Sequence, residues 1–158
     1  MKRFEFSLER LLKVKRQRER LAELEQQRAR AAVDAARAQV EELRGQLARV
    51  ADGLGGFVGQ AVNPQQWATS YELSERIGRS IQAAEADVEK AEERLWEAQQ
   101  ERAQIATEVE ALATLRQQQW DQYKQEVQKA NQEQLDELGL RRWMAANRDE
   151  PGAGGGAL

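Results

Sequence analysis

The chain has only two prolines, Pro64 and Pro151, and a dense glycine cluster, Gly53, Gly55, Gly56 and Gly59, just ahead of the first. Proline cannot sit inside a helix without removing a backbone bond, and glycine weakens a helix through backbone entropy. These breakers leave two long stretches with one turn between them. Ala, Glu, Gln, Arg and Leu dominate both stretches, and all are good helix formers. Ser7 is placed to cap the first helix, with Glu9 in the first turn, where the helix dipole favours an acid. Asn63 is placed to cap the second, with Pro64 at the first helical position and Gln66 three after the cap. The expected fold is all-α, an antiparallel two-helix coiled-coil hairpin with a longer second helix. Its first helix runs over about 7–52, its Gly-rich turn over about 53–63 and its second helix over about 64–147. These form one domain over 1–150, and residues 151–158 form a flexible tail.

The apolar spacing sets the seam. Val33, Ala36, Val40, Leu43, Leu47, Val50 and Leu54 alternate steps of three and four, the mark of a coiled coil. Nearer the start, Leu21, Ala32, Leu43 and Leu54 recur at eleven, as do Ala36, Leu47 and Val58, and that period predicts a nearly straight pair there. In the second helix the seam reads Trp67, Ile77, Ile81, Ala84, Val88, Ala91, Leu95, Ala98, Ile105, Val109 and Leu112. Trp120, Tyr123, Val127 and Leu138 continue it only after a four-residue stutter. A turn centred near residue 58 makes facing residue numbers add to roughly 117, so Ala22 is expected opposite Leu95 and Leu47 near Ser70. The paired part would be about 75 Å long at 1.5 Å per residue. Residues past about 112 are expected to overhang, frayed or bound to a partner, because a helix with no packed face is marginal.

Composition narrows the chemistry. Charged residues are 32% of the chain, and it contains no Cys and no His. Thiolate metal sites, disulfides, Fe–S clusters and His-based general-base or zinc chemistry cannot be built from such a chain. No catalytic residue, cofactor site or metal site is therefore expected. No apolar run approaches the roughly 20 residues of a membrane span. The charged opening, Met1-Lys2-Arg3-Phe4-Glu5-Phe6, is unlike a secretory signal, so a cytoplasmic location is expected. The net charge of −3 hides an asymmetry: residues 1–30 hold ten basic and five acidic residues, the remainder 14 and 22. A basic start and an acidic remainder suit two helices side by side, or a basic end that docks on something acidic.

Three surface features invite a functional reading, each beside a plainer one. Carboxylate groups such as Glu85, Glu89, Glu92 and Glu93 could hold a hard cation, but a solvated helix face explains them as well. The basic run Lys13, Lys15, Arg16, Arg18 and Arg20 could grip nucleic acid, an acidic protein or anionic lipid, or simply pair with Glu19, Glu23 and Glu25. Trp67, Trp96, Trp120 and Trp143 are too scattered to form a stacking platform, so nucleic acid is not expected. Tyr71 and Leu73 leave the seam on other faces than Trp67, Ile77 and Ile81. A two-helix pair buries one stripe, so they should be partly exposed and mark a contact patch, unless they pack on Phe57 and Val58.

The two ends carry a resemblance. Phe4-Glu5-Phe6-Ser7-Leu8-Glu9-Arg10-Leu11-Leu12-Lys13-Val14-Lys15-Arg16 resembles the opening of the FliJ family of flagellar type III export proteins. Gln134-Leu135-Asp136-Glu137-Leu138-Gly139-Leu140-Arg141-Arg142-Trp143 is similar to that family's closing segment. Length, turn position and the Trp at the start of the second helix also fit, so the resemblance spans about residues 4–143. The Gly-rich tail after Pro151 is not part of the family pattern. The resemblance implies a non-enzymatic rod, similar to the stalk of rotary ATPases. Its partners would be the hexameric export ATPase, the cytoplasmic region of the export gate and free export chaperones. Such a protein would reach the inner face of the membrane only through them. By the same resemblance, Phe4, Phe6, Leu8, Leu11, Lys13, Lys15, Leu135, Leu138, Arg141 and Arg142 would meet the ATPase ring. Trp67, Tyr71, Leu73 and Ile77 would meet the gate, with Ser80 and Ala84 extending that face. The alternative, from a different class, is a structural coiled coil that self-associates through residues 113–147. A hairpin arm for nucleic acid is a third reading, which would show a steep salt dependence.

Overall fold

A computed structural model describes residues 2–148, and the expected tail lies outside the described residues. The fold is all-α, a helical hairpin whose second helix is the longer. Helix α1 spans Glu9–Gly55, 47 residues, and helix α2 spans Pro64–Arg148, 85 residues. Ser7 and Leu8 form a lead-in turn, with the Glu9 N–H bonded to the Phe6 carbonyl at 3.1 Å. Asn63 caps α2 as its side chain predicts: its Oδ1 accepts the Gln65 N–H at 3.0 Å. Pro64 follows at the position where a missing N–H costs nothing. In the turn, Gly59 has φ +85°, a left-handed conformation that other residues adopt only with strain.

The chain forms two compact units. One comprises Lys13–Val109 and holds the turn; the other comprises residues 2–12 together with residues 110–148. Within the first of these, the seam of α1 keeps the three-four rhythm throughout. Ala22, Val33 and Val40 are buried, and Lys15, Glu19, Gln26, Ala29, Ala36, Leu43, Leu47, Val50 and Leu54 are half-buried on the same line. The eleven-residue reading of the start is therefore corrected: Leu21 is 62% exposed, Ala32 is exposed and Val58 is 85% exposed. Apolar periodicity misled there because the inward positions are held by polar side chains. Lys15 forms an ion pair with Glu108, and Arg102 donates to Gln26 at 3.3 Å. The seam of α2 matches expectation from Ile77 to Leu112, with Arg102 filling the gap between Ala98 and Ile105.

The register also needs correction. Arg44 pairs with Glu85 and Arg37 with Glu92, so facing numbers add to nearly 129. At Gln26 and Arg102 they add to 128. Ala22 thus stands near Ile105 instead of Leu95, and Leu47 stands near Ile81 instead of Ser70. By this register Gly55 comes level with about residue 73, and the first turns of α2 project beyond the end of α1. The expectation assumed a symmetric turn. The eight residues 56–63 instead carry the chain outward beyond the end of α1 before α2 starts. The projection also explains why Trp67, expected in the seam, is 52% exposed.

In the other unit, Leu12 is fully buried and Phe6 is 7% exposed. The extended residues 2–6 run beside α2 and cover residues expected to overhang. Phe4 meets Trp120 edge-on at 5.0 Å between ring centres and Tyr123 at 5.6 Å. The Tyr123 hydroxyl donates to the Lys2 carbonyl at 3.0 Å, and Arg116 pairs with Glu9 at 2.8 Å. Within this unit Arg116, Tyr123, Val127 and Ala130 are half-buried, Trp120 stays 37% exposed beside Phe4, and residues 131–148 are exposed at every position. They are helical nonetheless, and Leu138 lies off the seam at 51% exposure.

Candidate interaction surfaces

No group of His, Cys, Asp or Glu among the described residues is arranged to hold a metal ion. No helix among them is long and apolar enough to cross a membrane. The candidate sites are surfaces, and each unit has its own.

In the turn-bearing unit, the four residues assigned to one partner separate. Trp67, Tyr71 and Leu73 are 52%, 55% and 41% exposed, whereas Ile77 is 7% exposed and faces α1. Ala84 is buried like Ile77, and Ser80 is exposed with its hydroxyl bonded to the Arg76 carbonyl at 3.1 Å. A surface contact can therefore use Trp67, Tyr71 and Leu73, and Ile77 and Ala84 only by supporting the helix beneath. Phe57 is half-buried against the opposite side, in a shallow groove with Gln66, Thr69 and Ser70. It leaves Tyr71 uncovered. The Tyr71 hydroxyl donates to Glu75 at 3.1 Å, and this bond holds the phenol above its ordinary pKa of 10.0. Lys13 is exposed, but Lys15 is drawn into the seam by Glu108. Of the basic run, Lys13, Arg16, Arg18 and Arg20 face solvent.

In the other unit, the residues expected at a single partner again divide. Phe4, Phe6 and Leu8 are half-buried or buried against α2, while Leu11 is 42% exposed. Leu135, Leu138, Arg141 and Arg142 are all exposed, and so are Leu140, Trp143 and Met144. At 100° per residue these large apolar groups are spread around the helix, with Asp136 and Arg142 between them and the widest apolar gap at Glu137 and Arg141. They form an ion pair at 3.7 Å. Five large apolar side chains left in water on one short stretch of helix mark a contact surface. Sequence reasoning missed Leu140 and Met144 because they obey no single a/d stripe. Asp121 sits between Lys124 and Gln117, and their bonds hold its carboxyl below the ordinary 3.8.

The model of the family described as flagellar FliJ protein matches residues 4–148. The chain belongs to this family. Family membership gives it a role related to flagellar export. The match covers both predicted end segments and both surfaces described above. No curated protein and no solved structure matched the chain.

Proposed function

We propose that this FliJ-family chain couples the flagellar export ATPase ring to the export gate and also handles free export chaperones. It does so without catalysis of its own, in the cytoplasm, and reaches the inner face of the membrane only through these partners. The observation that carries the reading is the helical segment 131–148, exposed at every residue and bearing Leu135, Leu138, Leu140, Trp143 and Met144. So much apolar surface on an ordered helix suits enclosure by a larger partner, and we assign the ATPase ring to it, with Leu11 of the same unit contributing from α1. We assign the gate to Trp67, Tyr71 and Leu73, the exposed members of their set.

The decisive experiment adds purified chain to the cognate export ATPase and follows turnover and ring assembly. Wild type should raise both, and Leu138→Ala/Trp143→Ala should abolish the effect. An ATPase indifferent to the wild-type chain would end the coupling reading. For the gate, Tyr71→Ala/Leu73→Ala should lose gate capture while keeping the ATPase; Ile77 is avoided because its burial would confound folding with binding. A second reading, self-association through the same helix, is favoured by the same exposed residues. Light scattering that finds only monomer at tens of micromolar would remove it.

A further inference from the structure

One face of the turn-bearing unit carries an open groove between its two helices. Ala22 and Ile105 form the floor, and Leu21, the most exposed large apolar residue of α1, stands on the rim. Most charges there are already matched: Lys15 pairs with Glu108, and Glu25 with Arg28. Arg18 on the α1 rim and Glu101 on the α2 rim form no ion pair among the described residues. Facing numbers add to 128 here, so Glu101 is level with residue 27 of α1, nine residues past Arg18. An apolar floor with a free cation on one rim and a free anion nine residues on along the other fits a helix of the reverse pattern.

Segment 131–148 has that pattern. At 100° per residue Leu135, Gly139, Trp143 and Ala146 share one stripe, and the Glu137–Arg141 ion pair lies opposite it. Glu133 and Asp136 flank the stripe on one side and Arg142 on the other, and Glu133 and Arg142 are nine residues apart. Laid in the groove parallel to α1, such a segment turns its acids toward α1 and Arg142 toward α2. With Arg142 level with Glu101, Glu133 comes level with Arg18, and Asp136 stands one turn on. Glu25, the nearest acid on that rim, is held by Arg28. Leu135 then covers Leu21, Gly139 leaves room for Ile105, and Trp143 comes level with the small residues Ala29, Ala32 and Ala98. Run the other way, the segment would set its acids against Glu101 and Glu108 and leave Arg18 unmet.

We propose that segment 131–148 of a second copy of this chain occupies the groove, parallel to α1. The segment and Glu101 belong to one unbroken helix, α2, so a chain cannot fill its own groove. The parallel run with α1 sets the second helices of the two copies antiparallel, the relation a two-fold axis produces. The proposal rests on the self-association reading above and gives that reading its second surface. Since the same segment is assigned to the ATPase ring, pairing and ring binding exclude each other on that assignment.

The absence of cysteine makes the test direct. Full chain carrying Ala32→Cys is mixed with tagged full chain carrying Ala146→Cys under mild oxidant, and the mixed disulfide is followed by gel mobility. It should form well ahead of the mixture with Ala38→Cys, an exposed position on the far side of α1. Light scattering at tens of micromolar should find the wild-type chain dimeric. Arg18→Glu should weaken the dimer about tenfold by bringing like charges together, and adding Glu133→Arg/Asp136→Arg to the same chain should restore it. A wild-type chain that stays monomeric overturns the proposal together with the self-association reading. A dimer indifferent to Arg18→Glu, or a link no faster at Ala32 than at Ala38, overturns the groove alone. A monomeric chain that loses ATPase stimulation through Arg18→Glu gives the groove to the ATPase and also overturns the proposal. The coupling reading stands or falls separately, on the response of the ATPase to the wild-type chain.

Discussion

Leu12 is the most deeply buried side chain among the described residues, with no exposed surface at all. A thin two-helix seam offers few such sites, so each one matters more than in a thick core. Leu12→Ala should cost about 2–4 kcal/mol, read by chemical denaturation, because the packing around it cannot collapse fully. Tyr71 makes a different prediction. Its phenol is held above 10.0 by the bond to Glu75, so Glu75→Gln should move its absorbance titration back down. The sign follows from the raised value: the small stabilisation is complete below the ordinary phenol pKa and fades as pH rises through the raised one. Asp121 runs the other way, since its carboxyl is held below 3.8. Its contribution is complete above that value and is lost as pH falls through the lowered one.

Helix-scale predictions rest on glycines and on the seam. A Cβ at Gly45 would meet nothing within 4 Å, and Gly45 lies inside α1. Gly45→Ala should therefore stabilise by about 0.5–1 kcal/mol through backbone entropy, measured by denaturant midpoint. Gly59→Ala should do the reverse, because φ +85° strains any residue with a Cβ. Much of this level was legible in the sequence. The single turn followed from Gly53–Gly59 and Pro64, the cap from Asn63, and the seam of α2 from its three-four spacing. The seam of α1 before Val33 was not legible, because Lys15, Glu19 and Gln26 occupy positions that an apolar search passes over. Register was hidden as well. It depends on how far an eight-residue turn carries the chain outward, and cross-helix ion pairs reveal that only once their partners are known. For the candidate surfaces, exposure of Tyr71 and Leu73 could be argued from the one-stripe limit. The burial of Ile77 within the same group follows only from the register.

On the scale of the whole chain, the described residues separate into those that hold the helices together and those that hold nothing. Residues 131–148 belong to the second class. Ending the chain after Ala130 should leave the thermal midpoint within a few degrees, since surface removed from solvated helix contributes little. The same truncation should abolish any effect on the export ATPase. That contrast separates a binding element from a folding element in one pair of measurements. The exposed segment also has a consequence for the life of the protein in the cell. A helix with no tertiary contacts opens locally at little cost, and proteases cut chains where they open. Arg141 and Arg142 lie within it, so limited trypsin digestion should release this end first and leave the paired helices intact. A partner that enclosed the segment would shield both sites. Copies without a partner would then be shortened while engaged copies stayed whole, and abundance would follow the number of assembled export machines.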